Sequence, residues 1–211
     1  MDQVISRRTA LAAVLAMAGV PVLAGCSGSN TARLGLLDAN VARQSVTLSD
    51  APELGAVIGG VRNFASELYR VSADQNWTAS PLSIDLAFAM LRAGSRGTTA
   101  AELDRIFGYP ATTDPQGSPH SALNALTRQL ITTGPVAVGA AKGNPIVAIA
   151  NGLFIQQSFG AHVQQSYLST LASQYGAQPR TVDFTKPAAA AAINSWVSTQ
   201  TRKRITKLFD S

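Results

Sequence analysis

A single cysteine, Cys26, stands in the 211-residue chain, so no internal disulfide can brace the fold. Two histidines, His120 and His162, are too few for an ordinary zinc site when no further cysteine can join them. Charged residues make up 14% of the chain against 46% hydrophobic ones, which excludes both a disordered polymer and a charged coiled coil. No G-x-S-x-G elbow supports a nucleophilic serine, and no glycine-rich loop follows a strand to cradle phosphate. Asp85 and Asp183 are isolated carboxylates, and His162, near a helix start, reads as a surface histidine rather than a base. No catalytic constellation emerges, and neither enzyme activity, a metal nor a cofactor is expected. The net charge of +5 is mild, and no stacking aromatics alternate with basic residues, so a nucleic-acid partner is not expected either. The basic cluster Arg202, Lys203, Arg204 and Lys207 reads as a solvated helix end, where cations offset the carbonyl end of the helix dipole. A polyanion or an acidic lipid surface is the other reading. No internal repeat shows.

What is present begins with an address. Residues 1–25 have the form of a signal peptide and stand apart from the fold. Ser6-Arg7-Arg8-Thr9 resembles a twin-arginine export signal. The apolar run Leu11–Leu23 that follows falls short of the roughly 20 residues a membrane-spanning helix needs. Leu23-Ala24-Gly25-Cys26 resembles a bacterial lipobox, in which the cysteine thiol receives a diacylglycerol. The expected mature protein starts at Cys26, partners a lipid bilayer through that residue, and sits on the outer face of a bacterial cell membrane. Residues 26–48 are polar and small, with Leu34, Leu36 and Leu37 keeping no period, and read as a tether to a domain over 49–211.

Helix signals begin near Asp50 and Glu53, with Val57, Val61, Phe64, Ala65 and Leu68 on one face. Trp77–Ala79 is expected as a short strand. Thr99-Ala-Ala-Glu102 reads as a capping box opening a helix that Gly108-Tyr109-Pro110 stops. Ser118-Pro119 opens another, with Leu123, Leu126 and Leu130 on its face. Thr132–Pro145 reads as a loop. Ile146–Gln156 is the strongest strand, and Thr181–Phe184 a second. His162–Tyr175 is amphipathic and ends at Gly176. Pro187 opens a last helix with Ala189, Ile193, Trp196, Val197 and Gln200 along one side. The tail, Ile205, Leu208 and Phe209, is still apolar at the end of the chain, as though a further element were to follow.

Asn76–Thr99 holds the most information. Ser80 is suited to cap a helix, and Pro81 to its first position, where a missing N–H costs nothing. Leu86–Leu91 is apolar on every side, the mark of a buried helix. Gly94 offers a left-handed stop. The polar start, Ser80 and Ser83, must then find partners inside the protein.

The same stretch, Asn76…Ser80-Pro81-Leu82-Ser83-Ile84, then Ala89-Met90-Leu91…Gly94…Gly97-Thr98-Thr99, resembles the N-terminal signature of the serpins. A distant block supports the likeness: Ile149-Ala150-Asn151-Gly152-Leu153-Phe154-Ile155, Asp183-Phe184, and Ile193-Asn194-Ser195-Trp196-Val197…Thr201…Ile205. The resemblance implies an α+β, partial serpin-like fold, N-terminal helices packed around a truncated main β-sheet. It implies a serine-type endopeptidase inhibitor acting on an extracellular serine or cysteine protease. In that family a cleaved bait loop inserts into the main sheet as a new strand. The starting state is held kinetically in a less stable form. By resemblance Ser80 and Ser83 belong to the hydrogen-bond cluster where the sheet parts, and Asn194 and Trp196 to the helix lying across it. The likeness covers about the first half of a serpin, so the reactive bond is expected beyond Ser211 and this portion is not expected to inhibit alone. The alternatives are a non-inhibitory surface lipoprotein using a partial serpin fold as a binding or structural module, and a decayed product that aggregates through an unpaired strand edge.

Overall fold

Helix starts and stops written into the sequence set the order of the elements. The computed structural model describes residues 34–71, 76–111, 119–131 and 147–210, all within one unit, Thr31–Ser211. Arg7, Arg8, Cys26 and the loop expected over 132–145 lie outside the described residues.

A short 3₁₀ turn, Leu48–Asp50, precedes α1, Leu54–Val71. The α1 stripe is turned inward, with Val57 fully buried and Val61, Phe64, Ala65 and Leu68 half-buried. A helical glycine is usually a cost, but a Cβ on Gly60 would sit 2.1 Å from the carbonyl oxygen of Phe107. Only glycine lets α1 approach the end of α3, Gly97–Phe107, so closely. That end is closed by Gly108 in the left-handed conformation, as its sequence position suggests.

The central helix α2 spans Pro81–Gly94 with Ser80 as its cap. It is not buried on every side. Asp85, Leu86, Ala89, Met90 and Ala93 face inward, whereas Phe88 is 39% and Leu91 42% exposed. Phe88 keeps partial cover by stacking on Phe107 at 5.3 Å. Gly94 is not left-handed. Ser95 ends the helix in extended backbone, and the left-handed glycine is Gly97. Helix α3 therefore starts at Gly97, before the expected Thr99–Glu102 box, with no side-chain cap. Asn76–Ser80 forms no strand.

Helix α4, His120–Leu130, buries Ala122, Leu123, Asn124, Ala125 and Thr127, leaving Leu130 exposed. Val57, Leu86, Phe107, Tyr109 and Leu123, with smaller residues, make the main core between α1, α2, α3 and α4.

The sheet is small. β1, Gly35–Leu36, pairs antiparallel with β3, Arg180–Val182, and β2, Phe154–Gln156, pairs with β3 in parallel. The register sets Gly35 against Thr181 and Ile155 against Thr181 on its other edge. The long strand expected over Ile146–Gln156 is thus shortened: Val147–Leu153 form no strand. One further bond, Arg180 N–H to the Leu153 carbonyl at 2.9 Å, extends the ladder before Pro179, which has no N–H, ends it. The second strand also differs, stopping at Val182 with Phe184 in a turn.

Residues 34–48 are not a free tether. Besides β1, the Leu37 N–H donates to the Pro179 carbonyl at 2.9 Å and the Gln44 N–H to the Ser173 carbonyl at 2.8 Å. Ala39 packs on Leu168 and Ala172. Main-chain bonds hold this stretch, and these leave no hydropathy period to read.

The region expected as one helix from His162 is a 3₁₀ turn, Gln157–His162, then α5, Gln165–Thr170, widening into a π-turn over Leu171–Tyr175. Gly176 stops it, left-handed. Helix α6, Ala188–Gln200, covers the sheet with Ala189, Ile193 and Val197 packed on Val182 and Phe154.

Candidate functional site

The start of α2 and the segment before β2 meet through two hydrogen bonds. Ser80 Oγ accepts the Ser83 N–H at 3.3 Å, which fixes the first turn. The Ser83 hydroxyl donates to Asn151 Oδ1 at 3.1 Å, and Asn151 Nδ2 returns a bond to the Ser83 carbonyl at 2.8 Å. A reciprocal pair of this kind fixes the segment to the helix, although residues 147–153 form no strand among the described residues. Ser80 itself is exposed, and both serines border a cleft of about 590 Å³ that Val197, Thr201 and Leu208 also line.

Asn194 and Trp196 sit on α6 but do different work. Asn194 Oδ1 accepts the N–H groups of Leu208 and Phe209 at 2.8 and 3.0 Å, and its Nδ2 donates to the Phe209 carbonyl at 2.8 Å. Trp196 meets Phe154 edge-on at 5.2 Å and lies under the Arg180 guanidinium at 5.4 Å. A Cβ on Gly152 would come within 2.5 Å of its ring, so the segment passes this indole only as glycine. The structure brings Ser80 and Ser83 together; Asn194 instead holds the tail, and Trp196 the side of the sheet.

Asp85, which reads from the sequence as an isolated carboxylate, is not isolated, because the fold brings Tyr109 against it. Asp85 is fully buried on α2 and accepts the Tyr109 hydroxyl at 2.7 Å, while its other oxygen, Oδ2, is buried without a partner. Burial lifts its pKa from 3.8 to about 6, and the Tyr109 bond offsets only part of that. Burial and the neighbouring carboxylate push the Tyr109 phenol well above its ordinary value in turn. Nearby, His120 Nδ1 and the Tyr175 hydroxyl share a hydrogen bond at 2.5 Å. Asn151, in contrast, carried a signal: a side-chain amide inside an apolar run needs a partner when buried. Among the described residues no cluster of three or more histidine, cysteine, aspartate or glutamate side chains could hold a metal ion, and no helix is long and apolar enough to cross a membrane.

Comparison with known proteins places this geometry. The family model described as Serpin (serine protease inhibitor) matches residues 60–211. Human neuroserpin is 30% identical over 176 residues, covering 83% of this chain and 40% of that protein. The leukocyte elastase inhibitor of Xenopus tropicalis is 32% identical over 155 residues, 71% of this chain and 38% of that one. An uncharacterized serpin-like protein of Thermococcus kodakarensis is 31% identical over 154 residues, covering 71% of this chain and 33% of its own length. Among solved structures, Serpin48 of the insect Tenebrio molitor superposes with a TM-score of 0.61 at 23% identity, over 74% of this chain and 40% of that one, a likeness of fold. The chain thus spans about two fifths of the relatives it matches, and its helices and small sheet are a partial serpin-like α+β fold. The chain belongs to the serpin family.

Proposed function

We propose that this chain is the N-terminal part of a serpin-type inhibitor of an extracellular serine or cysteine protease, exported and held at the outer face of a bacterial cell membrane through an acylated Cys26. The family match over residues 60–211 supports the inhibitor part of this reading, and the export and anchoring part rests on Arg7-Arg8 and the Leu23-Ala24-Gly25-Cys26 motif. The reciprocal Ser83–Asn151 bonds support it, because they bind the start of α2 to the segment before β2, at the place where the resemblance expects the sheet to part. The reactive bond is assigned to no residue of this chain.

The test is to express the continuous reading frame that encodes the chain and incubate its product with chymotrypsin-, elastase- and subtilisin-like proteases. The expected result is a covalent complex that survives SDS. Cleavage without such a complex at every ratio overturns inhibition and supports a non-inhibitory surface lipoprotein using the partial fold as a binding module. Export and anchoring are tested separately. Cys26→Ser should abolish incorporation of labelled palmitate, and replacing Arg7 and Arg8 by lysine should hold the precursor inside the cell.

A further inference from the structure

A second cleft, of about 250 Å³, lies between α4, the segment before β2, the start of β3 and α6. Its polar lining is rich in donors. Arg43 lines it, donates from Nη2 to Thr127 Oγ1 at 2.7 Å, and has its Nε buried with no acceptor among the described residues. Arg180 lines it too, with one bond to the Gln178 carbonyl at 3.1 Å. Trp196 completes the set, its indole N–H buried and also without an acceptor among the described residues. Among the described residues, no aspartate or glutamate borders the cleft, and neither arginine takes part in an ion pair. Buried donors without acceptors, beside a guanidinium without a counter-ion, cost free energy that an anion would relieve. Burial and the Arg128 charge both lower the Arg43 pKa, which is the direction an uncompensated cation takes. Leu86, Met90 and Leu153 make one part of the wall apolar, while Thr127, Asn151, Gln178 and Gln200 keep the rest polar.

We infer that this cleft binds a small amphiphilic carboxylate, its anionic head between Arg43 and Arg180 and its apolar body against Leu86, Met90 and Leu153. The volume is below that of sites for drug-sized ligands, which begin near roughly 300 Å³, so a short chain fits and a polymer does not. The site is independent of protease trapping and stands or falls without it.

The test uses the full chain with Cys26→Ser, so that no acyl group of its own competes, and Trp77→Phe, so that Trp196 is the only indole. Octanoate is titrated while Trp196 fluorescence is read. A saturable change is expected with octanoate and not with octanol or octylammonium, which share the tail but not the charge. Arg43→Gln should weaken octanoate binding about tenfold or more. Arg105→Gln, on the exposed face of α3, should leave it unchanged. If thermal unfolding shows that Arg43→Gln has not folded, Arg180→Gln carries the same expectation. No saturable change with octanoate, equal binding of octanol, or unaltered affinity in the folded arginine variants would each overturn the inference.

Discussion

The helical part of this molecule and its sheet part solve the same problem with unequal means. In α1 to α4 the interior backbone groups find partners within their own helix, so packing has mainly side chains to arrange, and it buries Val57, Ala89, Ala122 and Leu123 almost completely. A strand has no such autonomy. Val147–Leu153 carry the apolar, β-branched composition of a strand yet form none, and the bonds that hold Asn151 to Ser83 and Leu153 to Arg180 do not build a ladder. Local order can be completed by a short stretch of chain; sheet order has to be completed by a neighbour.

The contrast can be broken most strongly at Leu123. Leu123→Ala empties a fully buried site between four helices and should lower stability by about 3 kcal/mol or more, read from the urea midpoint. Ile155→Ala, at a half-buried ladder position, should cost less than about 2 kcal/mol in the same measurement. If the two costs are equal, the division into a strong helical core and a weak sheet is wrong.

An effect between those two is expected at Asp85, where the helical core carries a flaw. Its folded pKa, about 6, lies above the ordinary 3.8, so the folded chain holds this proton more tightly than the unfolded chain does. The group's contribution is fully present below about pH 4 and is lost as pH rises through about 6. Asp85→Asn keeps an acceptor for Tyr109 and removes the buried charge. It should raise stability near pH 8 by on the order of 2–3 kcal/mol and leave it unchanged near pH 4, as thermal melts across that range would show. A gain that does not depend on pH would remove the titration from the explanation.

The smallest effect belongs to the tail. Asn194→Ala deletes three hydrogen bonds to Leu208 and Phe209 on an exposed surface, and should cost about 1–2 kcal/mol at most. Hydrogen exchange at those two amides should accelerate while the amides of α4 stay protected. Unchanged exchange would mean the tail is held by something other than Asn194.

Local signals were legible before any coordinates. Ser80-Pro81 caps α2, Gly108 and Gly176 are left-handed stops, and the α1 and α6 stripes turn inward, because each depends on residues a turn or two apart. Phe88 and Leu91 were not legible, since apolar character says that a side chain favours a partner and not that one is present. Gly94 was misread for a related reason: a Cβ there would sit 3.1 Å from the Tyr167 ring, so its smallness serves packing rather than a turn. Leu34–Leu48 looked like a tether because main-chain pairing leaves no trace in hydropathy. The Arg43 cleft joins residues far apart in the chain, and nothing around Arg43 alone announces it.

Asn194 behaves as a peptide group carried on a side chain. It accepts from two amides and donates to one carbonyl, much as an adjoining backbone would. Every one of those bonds ends on main chain, so the identities of residues 208 and 209 do not enter into them. Drift at these two positions is therefore expected to leave the anchorage intact. Selection would instead weigh on position 194, where aspartate would forfeit the donor and leucine, of similar shape, would forfeit both functions.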